Sequence, residues 1–189
     1  MLSAFAALAL LALAQPAAVP PPVEQTSADC ARPTYASDML VCGDSELKAR
    51  DAELAVLVAS TPIAGTAVME SDAAWFKRRS RCAFNADHRS CLAAAYAERL
   101  ALRAALAAAP SPDEKPALCT AGKGGIGTRY SPAPGNALVL RDASTEEVLG
   151  VLFRHEPEDA PWKPFAAYSL LAMRMSIRTT DGTFWRCRR

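Results

Sequence analysis

The spacing of apolar and polar positions divides the chain into a helical part and a β-rich part. Between residues 29 and 109, apolar side chains recur at the period of an amphipathic helix, as in the stripe that contains Leu47, Leu54 and Val58. This pattern predicts three helices, over residues 45–60, 66–82 and 90–109. Prolines at 110, 112 and 116 then end the helical periodicity.

Beyond this break, apolar runs shorten, and Gly, Thr, Val and aromatic residues become more frequent. Met173, Met175 and Ile177 alternate with polar residues, which is typical of a half-buried strand, and Asp181-Gly182 predicts a tight hairpin turn. Four strands are expected, over residues 137–141, 148–154, 170–179 and 183–188. The predicted fold class is α+β: a disulfide-stapled three-helix unit at 29–109, followed by a small antiparallel β unit at 117–189.

The first residues predict export. The apolar run from Ala4 to Ala14 has the length of a signal-peptide core, although no basic residue precedes it. Cleavage is expected after Ala14, with Ala18 as a second choice, so 1–14 is read as a signal peptide and 15–28 as a flexible leader. The mature protein is then expected in the periplasm or outside the cell, without stable membrane insertion.

Six cysteines in an exported chain indicate three disulfides. Six cysteines allow 15 pairings, and spacing alone does not select among them; no CxxC motif is present in the sequence. Because the cysteines sit near predicted helix ends or at the ends of the β unit, we favour one pairing: Cys30 with Cys42, Cys82 with Cys91, and Cys119 with Cys187.

Charge is balanced along the chain, with net +1 overall. Residues 29–109 hold ten acidic and ten basic side chains, and residues 110–189 hold nine acidic and eleven basic side chains. Such a balance predicts neither nucleic acid nor an anionic membrane as a partner.

Charged residues also fall within the apolar stripes of the predicted helices, with Asp51, Arg79 and Arg99 as the central examples. Since an unpaired charge in a small core is costly, we expect an inward-facing bridge between Asp51 and Arg79, with Arg99 nearby. The alternative is that the arginines hold the carboxylate of a ligand.

Catalytic and cofactor motifs are not supported. Gly122–Gly127 matches GxGxxG, but prolines flank it where a dinucleotide site needs a strand and a helix, so we interpret it as a flexible loop. His88 and His155 are not at metal-ligand spacing. The sequence therefore predicts no catalytic residue, no cofactor and no metal, and a protein that is not an enzyme.

Residues 29–106 resemble the lysozyme inhibitor LprI-like N-terminal domain family. The resemblance lies in the four cysteines in order and in the residues spaced between them: Asp29-Cys30, Val41-Cys42, Leu47, Asp51, Leu54, Trp75-Phe76, Arg79, Cys82, Cys91-Leu92, Tyr96, Arg99 and Leu100. Asp72 and Ser80 depart from the family pattern, which often has Gln and Asp there. The resemblance implies an exported helical domain of the bacterial envelope without catalysis, which blocks a host or competitor lysozyme by protein–protein binding. A lysozyme, or another envelope protein, is therefore the expected partner.

The segment between Cys82 and Cys91 is the candidate binding loop. If the two cysteines pair, the loop that contains Asp87, His88 and Arg89 is held in shape, and His88 or Arg89 can enter a lysozyme cleft and pair with its acidic catalytic residues. The alternative is that the disulfide only stabilises a helix turn. Two other functions remain open: a structural or ligand-binding role in the envelope unrelated to lysozyme, and hydrolysis by an unrecognised pair of carboxylates.

Overall fold

The structure is a computed structural model that describes residues 24–122 and 124–188, so the predicted signal peptide lies outside the described residues. Its helices are α1 (Ala36–Gly43), α2 (Ser45–Ser60), α3 (Asp72–Arg79) and α4 (His88–Ala107). Its strands are β1 (Lys115–Ala121), β2 (Gly124–Ala133), β3 (Ala137–Asp142), β4 (Val148–Arg154), β5 (Ala166–Leu171), β6 (Arg174–Thr179) and β7 (Phe184–Arg188). None of the helices described is long and apolar enough to cross a membrane.

The seven strands form a closed barrel in sequence order, with β7 pairing back onto β1. Every neighbouring pair is antiparallel except β4 and β5, which run parallel and pair through Phe153 with Ala167 and Arg154 with Tyr168. The predicted fold class is therefore wrong, because four helices rather than three accompany a closed barrel rather than a small antiparallel unit. Closure pairs each strand on both sides and so leaves few free sheet edges.

The first hairpin of the barrel was missed because its sequence is rich in glycine. The stretch interpreted as a flexible loop contributes Gly122, with φ of +65°, to the turn, and Gly124–Gly127 to β2. Glycine weakens a strand locally. Here β2 pairs along its length with β1 on one side and β3 on the other, and this ladder outweighs the low propensity.

The helices follow the predicted periodicity in part. α2 has the predicted bounds, and Asp44 caps it by accepting hydrogen bonds from the Glu46 and Leu47 amides. The second predicted helix is shorter and begins at Asp72, because residues 66–69 form a turn, in which the Thr66 hydroxyl donates to Leu149 O, 2.5 Å away. α1 was not predicted.

Helices and barrel share buried surface. Trp162, from the segment between β4 and β5, lies in the helical core, and residues of α4 pack on the outer side of β3 and β4. The approach is closest where Val68 meets β4. A Cβ on Gly150 would lie 2.6 Å from Val68 O, so only glycine fits there. The apolar interior of the barrel forms a separate cluster.

All three predicted disulfides are present: Cys30–Cys42, Cys82–Cys91 and Cys119–Cys187. The first ties the incoming chain to α1, and the second joins the end of α3's continuation to the start of α4. The third lies between β1 and β7, where its two cysteines are directly opposite in register. Three disulfides indicate a protein of an oxidising, extracytoplasmic compartment.

Candidate functional site

The Cys82–Cys91 loop, residues 83–90, connects a 3₁₀ turn at Ser80–Phe84 to α4. Asn85 fixes its middle. The Asn85 side chain donates to Pro161 O at 2.9 Å and accepts from the Asp87 amide at 2.9 Å. Asp87 in turn caps α4 by accepting from the Ser90 amide at 3.0 Å. Disulfide, amide and cap together hold the loop in one shape.

The three residues predicted to bind a partner are used within the molecule. Asp87 is the cap just described. His88 faces inward, with Nε2 3.2 Å from the Ser37 hydroxyl, and burial together with the nearby charge of Arg79 lowers the pKa of His88. Arg89 is half exposed and pairs with Asp44 at 2.8 Å and Glu46 at 2.6 Å. Of the three, Arg89 is the residue that a partner can engage most easily, because its ion pairs lie at the surface.

The large apolar side chain that the loop presents to solvent is Phe84, whose exposed fraction is 91%. Beside it lies a hollow of about 360 Å³ bordered by Trp162 and Pro161, with the basic side chains of Arg81 and Lys163 on its rim. A large aromatic side chain left in water on a fixed loop has no role in the core. Phe84 lies within the predicted loop, but its charged neighbours Asp87, His88 and Arg89 were predicted to make the contact.

The floor of the hollow is rigid. The Trp162 indole donates to Glu98 Oε2 at 2.5 Å, and the Arg78 guanidinium lies 4.0 Å from the ring centroid. Glu98 also accepts from the Phe165 amide at 3.0 Å. Burial raises the pKa of Glu98, and the charge of Arg78 acts against that rise. The loop therefore rests on a buried polar network of Glu98, Trp162 and Arg78, which was not predicted from the sequence.

The charged residues in the helical stripes are buried, but their partners differ from the prediction. Arg79 pairs with Asp38 at 2.7 Å, and both side chains are fully buried. Asp51 instead accepts from the Tyr96 hydroxyl at 2.7 Å and the Ala28 amide at 3.0 Å. The predicted Asp51–Arg79 bridge is thus corrected, because α1, which carries Asp38, was not predicted.

Arg99 has a separate partner. Together with Arg103 it binds Asp72 Oδ1, at 2.7 and 2.5 Å. Burial acts to raise the pKa of Asp72, but hydrogen bonds from the Ile63 amide and from Arg99 outweigh it and lower the pKa. By contrast, burial raises the pKa of Asp51. These groups join helices to one another in the core, and their side chains are not directed to a surface.

Comparison of the chain with protein-family models, with curated proteins and with solved structures gives no match in any of the three. Within residues 24–122 and 124–188, no group of three or more His, Cys, Asp and Glu is placed to hold a metal ion. The Cys82–Cys91 loop with Phe84 is therefore the candidate site, on the grounds of its own geometry.

Proposed function

We propose that this chain is an exported binding protein without catalytic activity, located in the periplasm or outside the cell. It contacts a partner protein through the Cys82–Cys91 loop. The observation that carries the proposal is the exposure of Phe84 on a loop held by a disulfide and by Asn85. Aromatic side chains that enter a partner's pocket supply much of the binding energy at protein interfaces.

Rigidity makes such a contact efficient. A loop that is already in its bound shape loses little conformational entropy on binding. Burying Phe84 in a partner then contributes about 1.5–3 kcal/mol. The Cys82–Cys91 disulfide and the hydrogen bonds of Asn85 already order the loop in the unbound protein.

The charge around Phe84 favours an acidic partner. Arg81 and Lys163 are exposed beside it, and Arg89 can exchange its solvent-exposed ion pairs for others at little cost. The catalytic cleft of a lysozyme carries acidic residues. The resemblance of residues 29–106 to the LprI-like family supports the same target, so lysozyme is the partner we propose.

A turbidity assay tests the proposal. The full mature chain is added to bacterial cell walls with C-type, g-type or i-type lysozyme, and we expect inhibition of at least one class. Phe84→Ala should then weaken inhibition about 10- to 100-fold, in line with the burial of one aromatic side chain. Val56→Ala is the matched control, since Val56 is 69% exposed on α2, away from the loop.

The outcomes of this assay distinguish a wrong partner from a wrong contact surface. Failure to inhibit any lysozyme class would overturn lysozyme as the partner and favour the alternative of an envelope protein with another ligand. Inhibition that Phe84→Ala leaves unchanged would overturn the loop as the contact surface. Replacing His88 or Arg89 by Ala should have a smaller effect than Phe84→Ala, because both side chains are already engaged within the molecule.

A further inference from the structure

Outward-facing residues of β5, β6, β7 and β1 form a second surface, here called the arginine face. It contains a groove of about 750 Å³. The strand registers arrange these residues in three rows across the sheet. The rows are Leu171, Arg174, Arg188 and Leu118; Ser169, Ser176, Arg186 and Thr120; and Ala167, Arg178 and Phe184.

The arginines of this face are close together, and no acidic side chain among the residues that the structure describes forms an ion pair with them. Arg174 and Arg188 are directly opposite on adjacent strands, an arrangement that destabilises a sheet when both carry the same charge. None of the four arginines is ion-paired with a carboxylate in the described part of the chain. Positive charge that the protein leaves uncompensated favours an anionic ligand.

Apolar side chains protrude at the end of the same face. The turn between β5 and β6 exposes Leu171 by 78% and Met173 by 66%, and Leu170 and Leu118 are also exposed nearby. Ala172 at the turn has φ of +48°, a left-handed conformation that is costly for a residue with a Cβ. Met173 was expected on the buried side of a strand. It lies outside because β6 begins only at Arg174.

Apolar side chains that protrude next to unpaired arginines match the boundary between lipid headgroups and acyl chains. We propose that the arginine face docks on an anionic phospholipid surface. Leu171 and Met173 enter the headgroup region, and Arg174, Arg186 and Arg188 contact phosphates. This docking is peripheral and reversible. The balanced net charge did not predict this docking, because the acidic residues that balance the arginines lie outside the arginine face.

Flotation with vesicles tests the docking with the full mature chain. Vesicles contain either phosphatidylcholine alone or an equimolar mixture with phosphatidylglycerol. We expect binding only to the anionic vesicles, and its loss when salt is raised to about 0.5 M, where charges are screened over a few ångströms. Equal binding to both kinds of vesicle, or none to either, would overturn the proposal.

Variants locate the surface. Arg174→Ser with Arg188→Ser should weaken vesicle binding roughly 30-fold, at about fivefold for each arginine. Leu171→Ser with Met173→Ser should weaken it by at least tenfold. The controls are Arg154→Ser, an exposed arginine on β4, and Val56→Ser, and both should bind as the parent protein does.

Polyglutamate is the competing ligand. If it binds through Arg174 and Arg188 while anionic vesicles do not, the face recognises acidic polypeptide and the lipid proposal is wrong. Equal weakening by the variants and by their controls would also contradict it. Circular dichroism of each variant confirms that the barrel is intact. Phe84→Ala should leave vesicle binding unchanged, which separates this surface from the proposed function.

Discussion

The Cys119–Cys187 disulfide should contribute more to stability than either of the other two. It joins residues that are 68 apart in sequence, whereas the other pairs are 12 and 9 apart. A cross-link removes conformational entropy from the unfolded chain in proportion to the logarithm of the loop it closes, which gives about 4.4 kcal/mol for the long loop and about 2.7 kcal/mol for the short ones. The strands that it joins, β1 and β7, are paired over a short register only.

Urea unfolding followed by circular dichroism measures the difference. We expect Cys119→Ala with Cys187→Ala to lower the free energy of unfolding by about 1.5–2 kcal/mol more than removal of either short-range disulfide does. The double variants Cys30→Ala with Cys42→Ala and Cys82→Ala with Cys91→Ala are the matched controls. A loss for the barrel disulfide no larger than theirs would refute the loop-entropy reasoning.

Two further predictions concern buried charges. Asp38→Ala leaves the Arg79 guanidinium buried without its carboxylate and should lower the free energy of unfolding by about 3–5 kcal/mol. Adding Arg79→Met should recover part of this loss, as measured by urea unfolding. No recovery would contradict the pairing of Asp38 with Arg79. Burial raises the pKa of Glu98 above its ordinary 4.5, so the folded state binds the proton more tightly and stability from this group falls as pH rises from 4.5 through the raised pKa. A carbon NMR titration should place the Glu98 midpoint above 4.5, and a lower midpoint would contradict the burial argument.

Local patterns in the sequence predicted what depends on near neighbours. The bounds of α2 follow from its periodicity and its Asp44 cap, and the β6–β7 hairpin follows from Asp181-Gly182, where Gly182 has φ of +92°. The disulfide pairing was accessible because the cysteines lie near the ends of helices or of the β part. The helix bounds, the hairpin and the two short-range disulfides are decided by residues close in sequence, whereas Cys119 and Cys187 were matched as the two cysteines of the β part.

Features that depend on distant pairing were not predictable. Closure of the barrel needs β7 to pair with β1. The predicted Cys119–Cys187 pairing links these two strands, but β1 itself was not predicted, so the closure was not either. Asp38 was not recognised as the partner of Arg79, because the pair is 41 residues apart and α1 is short. The arginine face arises from register, which aligns Arg174 with Arg188 across two strands. The arginines at alternate positions of β6 and β7 were the sequence signal that could have indicated the arginine face.

If the Cys82–Cys91 loop contacts a lysozyme through Phe84, NMR titration of the isotope-labelled protein with each lysozyme class will locate that contact residue by residue. We expect one class to shift the amide signals of residues 83–90 and of the adjoining Trp162 and Lys163, while signals from the arginine face stay unchanged. Shifts that avoid the loop, or no shifts with any class, would contradict the account.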